Sequence, residues 1–381
     1  MFAQISLKTM NRFSGLVMLF IAGVAIDGSA QGGSSSGMKV IRELPSTSVK
    51  NQANTGTCWS FSTTSLVESQ SIKNGAGTFD LSEMFTVRNI YKEKAVNYVL
   101  RQGKAQFSPG GLGHDVIHAM EVYGAMPESV YSGMILGQKY HDHGKLDNLL
   151  KKYLDSLLVT RPLPDNWMKG FETILNDQLG TPPATFMYNE KVYTPITFAK
   201  EVLHFSANDY ISMTSFTHHP FYTSFILEAP DNALNSVYYN VPLNELVSLT
   251  EKSIENGYSI MWDADVSNKY FRHGDGYAMM VKEVKGPFKN PDDVEIPYSQ
   301  EYRQQLYENL TTQDDHLMHI VGLEKSTGGK AFFLVKNSWG ESNSFKGFVH
   351  VSESYFAINT VSVVIPKAAL DPKLKSKLNL N

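Results

Sequence analysis

The chain has one cysteine among its 381 residues, Cys58. No intramolecular disulfide can form, so core packing alone must hold the fold. Charge is also sparse: charged residues make up 19% and the formal net charge is -4. There is no basic stripe of the kind that a nucleic-acid partner requires, and nothing that would bind an anionic membrane surface. Long apolar runs are missing too. Beyond the first 30 residues no stretch reaches the roughly 18 apolar residues of a bilayer span, so no stable membrane anchor is expected. Internal repeats and coiled-coil heptads are absent. What is present is a hydrophobic fraction of 42%, enough to bury a large core in one large domain or two lobes.

The N-terminus has the pattern of an export signal. Lys8 and Arg12 precede an apolar stretch of 11 residues, Leu16 to Ile26, and Gly28-Ser29-Ala30 supplies small residues for cleavage after Ala30. A periplasmic or extracellular location is expected. An unpaired thiol there is a liability, because it can oxidise or cross-link. Either Cys58 is a buried inert thiol or its neighbours give it chemistry.

Residues 1–30 are thus read as a signal peptide and 31–45 as a linker that opens with the Gly/Ser run QGGSSSGM. A helical lobe spans 46–139, with helices expected from Cys58 to about Gly75, over 81–100 with Ser82 near its start, and from His114 to Gly124. Residues 140–245 differ in texture, with two helices (144–160 and 166–179) and then segments punctuated by proline. They are read as a mainly helical insertion. A helix over 244–257 and a strand over 258–266 open the β lobe, 246–366. There LMHIVGLEKS, KAFFLVKNSWG, GFVHVSESYF and TVSVVIP predict a mainly antiparallel, barrel-like sheet. A tail, 367–381, is basic and expected to be solvated.

The chemistry is concentrated in three places. In NQANTGTCWSF, Cys58 lies where a loop enters a helix, and free N–H groups and the helix dipole there stabilise a thiolate. The backbone N–H of Cys58 can donate to an oxyanion, and Gln52, six residues earlier, offers a side-chain amide as second donor. Gly56 is expected to let this loop approach a substrate. His316 heads the apolar strand of DHLMHIVG and is the candidate base. Asn337, in VKNSWG, can hold the second ring nitrogen of His316, with Trp339 covering that hydrogen bond. His319 falls on the other strand face and is read as structural. His218 and His219 are read as loop residues. Asp263 and Asp265 are open to two readings, partners for a cation in the cleft or an ordinary strand-end turn.

These blocks resemble the papain superfamily, and most of all its bleomycin hydrolase and aminopeptidase C branch. NQANTGTCWSFS, HLMHIVG and VKNSWG occur in family order, and the wide gap between Cys58 and His316 suits that branch. PITFAKEVL (195–203) and SIENGYSIMWDADVS (253–267) are similar to it as well, so the resemblance covers roughly residues 40–365. It implies Cys58 as nucleophile, His316 as base, Asn337 as orienting residue and Gln52 as oxyanion donor. It also implies that Gly110 and Gly111, in SPGGLGHDVIHAM, pair with the substrate backbone. Trp59 and Trp339 are candidates for substrate contact. The branch is hexameric and mostly cytosolic, and a C-terminal carboxylate in its cleft recognises the substrate amine. This chain instead looks exported and ends KAALDPKLKSKLNLN, without that tail.

The expected fold is therefore α+β with two lobes and an active-site cleft between them. The expected activity is hydrolysis of peptides through a Cys-His-Asn thioester mechanism, with no metal or organic cofactor. Short peptides cut from the N-terminus are the substrates that the resemblance implies. A broad endopeptidase is the alternative, and a catalytically silent peptide-binding scaffold a third reading.

Overall fold

The computed structural model describes residues 37–135 and 137–380, so the expected signal peptide lies outside the described residues. Strand β1 (Met38–Glu43) occupies part of the segment read as a linker. Helices α1 (Cys58–Lys73), α2 (Glu83–Leu100) and α3 (Gly113–Tyr123) follow near their expected places. The Ser82 hydroxyl caps α2 by accepting from the Phe85 N–H at 3.1 Å. Gly124, at φ +82°, ends α3.

Helix α1 departs from the expected amphipathic stripe, because it is buried on nearly every side. Its many Ser and Thr residues make this possible. Their side chains are small, and their hydroxyls can bond back to the helix, as Ser62 does to the Trp59 carbonyl (3.2 Å) and Ser71 to that of Val67 (3.0 Å).

The insertion begins with α4 (Leu146–Leu158) and α5 (Trp167–Leu179), followed by the hairpin β2 (Phe186–Tyr188) and β3 (Lys191–Tyr193) and by α6 (Pro195–Glu201). Leu150, Leu154, Phe171, Leu175 and Leu179 bury one face of the helix pair in the core that α1, α2 and α3 share. The second half of the insertion is not helical. Strands β4 (Tyr210–Thr214), β5 (Ser224–Ile226) and β6 (Val237–Asn240) join the main sheet. Proline divides this region into runs too short for helices, and β4 gains a partner in the last strand of the chain.

The β lobe contains α7 (Leu243–Glu255), β7 (Ile260–Ala264), β8 (Phe271–Arg272), β9 (Tyr277–Ala278), α8 (Gln300–Glu308), β10 (His316–Ser326), β11 (Ala331–Lys336), β12 (Phe348–Ser352), α9 (Glu353–Asn359) and β13 (Thr360–Pro366). The sheet order is β5-β6-β4-β13-β7-β10-β11-β12-β9-β8, with β1 also paired to β10. Pairs are antiparallel except β4–β6 and β9–β12. The path does not close on itself, so the barrel-like expectation is corrected to an open mixed sheet. Its ends are strands of three and two residues, short edges that offer little to pair with.

Two further expectations are corrected here. GFVHVSESYF is not one β run, because Ser352 caps α9 by accepting from the Tyr355 N–H at 3.1 Å. Tyr355 to Ile358 are all fully buried, so no periodicity distinguishes helix from strand. The tail is not solvated. It forms α10 (Pro372–Lys377) and buries Leu370, Leu374 and Leu378 in the same cluster as α7. Helix α1 packs on β10, which brings the N-terminal ends of the two elements together.

Candidate active site

Cys58 is the first residue of α1, and no side chain caps that end. The thiol therefore lies at the helix N-terminus, near the backbone N–H groups of Trp59 and of Leu317, the residue after His316. Two turns of chain complete the junction. The N–H of Gln52 donates to the Ser338 carbonyl at 2.8 Å, and that of Gly340 donates to the Lys50 carbonyl at 3.0 Å. Motif blocks far apart in sequence thus share one short ladder.

His316 is buried at the start of β10, and its Nε2 lies 2.7 Å from Asn337 Oδ1. Asn337 Oδ1 also accepts from the Ser338 N–H at 2.7 Å, while its Nδ2 donates to Nδ1 of His273 at 3.2 Å. This arrangement is self-consistent in one orientation of the amide. It places the proton of His316 on Nε2 and leaves Nδ1 as the basic atom. His273 in turn carries its proton on Nε2, 3.0 Å from the Ser342 hydroxyl. The Trp339 ring covers both imidazoles, with centroids 4.6 Å from His316 and 4.9 Å from His273. Sequence reasoning missed His273. Its motif, FRHGDG, has no catalytic spacing, and only the fold brings it to Asn337.

Burial pushes the Cys58 thiol up to about 12; the Leu317 and Trp59 N–H groups pull it down, and the Asp314 and Asp263 carboxylates push it further up. Burial likewise lowers His316 to about 4, against the upward pull of Asn337 and Asp315. Burial thus opposes the thiolate that the helix end and the neighbouring N–H groups favour, and it opposes the imidazolium as well. The helix end contributes about half a charge, and desolvation of a buried anion outweighs it.

Other expected site residues divide. Gln52 is buried. Its Nε2 donates to the Thr55 carbonyl at 2.9 Å, and its Oε1 accepts from the Ser338 hydroxyl at 2.6 Å. One amide hydrogen remains for an oxyanion. Trp59 does not meet the expectation of substrate contact. It is fully buried, and its indole N–H donates to the Pro109 carbonyl at 3.0 Å. It acts only by fastening the 109–111 segment. Gly56 makes room for Pro109 rather than for substrate, since a Cβ there would lie 2.7 Å from the proline ring. The Gly110 carbonyl is taken by the Lys94 ammonium, and a Cβ on Gly110 would lie 1.8 Å from Asp231 Oδ2. His319 is buried and structural, with Nδ1 2.8 Å from the Ser65 hydroxyl.

The two readings of Asp263 and Asp265 separate. Asp265 holds the turn by accepting from the N–H groups of Ser267 (3.0 Å) and Gln313 (3.0 Å). Asp263 is fully buried and is the register partner of Leu317, beside the thiol. His218, His219 and Glu228 bring potential metal-ligand atoms together. Gln304 Nε2 donates to His218 Nδ1 at 2.8 Å, however, which puts the His218 proton on Nε2, the atom that faces Glu228. That tautomer suits a hydrogen bond rather than a metal.

A buried thiol at a helix N-terminus, a base held by an asparagine and a two-lobe α+β fold define a papain-like cysteine peptidase. The chain belongs to the peptidase C1-like family, whose model matches residues 93–381, and a papain family cysteine protease model matches residues 40–91. Among curated relatives it is 25% identical to aminopeptidase G of Lactobacillus delbrueckii subsp. lactis, over 86% of this chain and 83% of that one. It is 23% identical to aminopeptidase C of Streptococcus thermophilus, over 85% and 81%. The crystal structure of PepW from Lactobacillus rhamnosis shares the fold, with a TM-score of 0.68 and 21% identity over 89% of this chain and 84% of that one.

Proposed function

We propose that this cysteine peptidase is an aminopeptidase acting on short peptides. The observation that carries the chemistry is the Asn337–His316 hydrogen bond, which occupies Nε2 and leaves Nδ1 as the basic atom. In this mechanism His316 Nδ1 takes the Cys58 proton as sulfur attacks the scissile carbonyl. The oxyanion accepts from the Cys58 N–H and the Gln52 amide. The imidazolium then protonates the departing amine, which leaves a thioester. Water, deprotonated by the same Nδ1, attacks the thioester and releases the acid, restoring the thiol. Restriction to N-terminal residues is supported by the names of the aminopeptidase relatives.

Free and N-acetylated aminoacyl fluorogenic amides test this reading. Preferential cleavage of the free amines is expected, with complete loss in Cys58→Ala. Equal turnover of blocked and free substrates would make the enzyme an endopeptidase instead. We further propose that the protein is exported, on the strength of Lys8, Arg12 and the apolar stretch that follows. N-terminal sequencing of the full chain after expression should then find Gln31 first.

A further inference from the structure

We propose that Asp231, seconded by Asp314, is the acceptor for the free ammonium group of the substrate, and that the loop 227–236 carrying it closes the cleft beyond that group. The inference rests on the aminopeptidase reading and assigns the residues that enforce it.

The loop joins β5 to β6 and is built to hold one position. Asn232 is buried and clamps it, donating to the carbonyls of Leu227 (2.9 Å) and Ser236 (3.0 Å) and accepting from the Ser236 N–H (2.9 Å). Asn97 of α2 donates to the Ala233 carbonyl at 2.9 Å, and Leu234 packs on the helical core. Asp231 then lands on Gly110, in the segment that would pair with substrate backbone. Its Oδ1 is held by Gln106 (2.8 Å) and the Ser108 hydroxyl (2.9 Å). Its Oδ2 is the atom that the Cβ of any larger residue at Gly110 would strike. The glycine makes room for the carboxylate itself, which packs directly on the backbone of the 109–111 segment.

Charge gives the second, independent argument. Asp314, two residues before His316, lies close enough to the Asp231 backbone N–H and to the Asp263 carboxyl for both to act on its carboxyl. Asp263 is fully buried, and its Oδ1 and Asp314 Oδ2 have no hydrogen-bond partner among the described residues. Burial pushes both carboxyls up, Asp263 further by repulsion from Asp314, and Asp314, to about 7, further by repulsion from Asp231, although its neighbour Asp263 pulls it back down. Both also hold the Cys58 thiol up, which is the wrong sign for a nucleophile. Lys94 is buried and committed to the Ser108 and Gly110 carbonyls, and the buried Arg303 guanidinium, whose charge reaches Asp263, donates to the Ser215 and Ala357 carbonyls. A cation arriving with the substrate supplies what is missing. It satisfies the carboxylates and offsets their upward push on the thiol. A peptide extended past its amine has no such compensation and meets the loop.

The test uses three amides of one amino acid, with a free amine, an N-acetyl group, or the amine replaced by hydrogen. Wild-type kcat/KM should favour the free amine by about 10- to 100-fold, the range of a charged hydrogen bond. In Asp231→Asn that ratio should collapse toward one, and Asp314→Asn, which removes the charge and keeps the shape, should lower it as well. Thermal unfolding checks that each variant is folded, and the deaminated substrate tests the amine in the wild-type enzyme without any substitution. A wild-type preference for free amines that both variants retain would overturn this assignment and leave the aminopeptidase reading standing. A wild type with no preference would overturn both.

Discussion

Asn337 donates its side-chain N–H to Nδ1 of His273 at 3.2 Å while its oxygen receives the proton of His316. His273 is therefore a positioning residue one step removed from the chemistry, since it fixes which end of the amide faces the catalytic ring. His273→Ala should lower kcat about fivefold, the worth of one ordinary hydrogen bond, with KM little changed. His273→Gln, whose carbonyl oxygen can accept from Asn337, should recover most of the rate. A drop in stability without a change in kcat would remove His273 from the mechanism.

Gln52 has two jobs that mutation can separate. Gln52→Ala loses both the oxyanion donor and the anchor to Ser338, and kcat should fall by about 10²- to 10³-fold. Gln52→Glu keeps an acceptor for the Ser338 hydroxyl but removes the NH2 group. Steady-state kinetics should show the same order of loss in Gln52→Glu. Near-wild-type kcat in that variant would show that the anchor, not the donor, is what matters.

Glu128 makes a pH prediction. Burial, followed by repulsion from Glu83, pushes its carboxyl from 4.5 up to about 8, against the pull of Lys50. The folded state then holds the proton more tightly than the unfolded chain. The stability contributed by neutral Glu128 is complete below about 4.5 and is lost as pH rises through about 8. Glu128→Gln cannot ionise, so its Tm relative to wild type should rise between pH 5 and pH 9. A constant difference across that range would mean that Glu128 titrates normally.

The C-terminal helix α10 is a structural element on α7, fastened by Leu374 and by the Lys377 ammonium against Glu245 and the Tyr222 hydroxyl. Leu374→Ala should cost about 2 kcal/mol in denaturant unfolding. The ratio of free-amine to acetylated kcat/KM should change by less than about threefold. A larger change in that ratio would tie the tail to substrate recognition.

The placement of Cys58 at a helix start and the pairing of His316 with Asn337 were legible in the sequence because each residue sits in a local motif. Cys58 opens a helix, His316 heads an apolar strand, and Asn337 precedes a turn. The first helices were legible for the same reason, since Ser82 and Gly124 mark their ends by local backbone chemistry. Tertiary structure alone decided the rest. Whether Tyr355 to Ile358 form helix or strand depends on burial from all sides, which erases periodicity. The upward push of burial on the thiol depends on its depth in the fold, which spacing does not encode. His273 reaches Asn337 across 64 positions, and Asp231 reaches Ser108 across 123. Contacts over such separations are products of chain topology, and no window of sequence contains both partners.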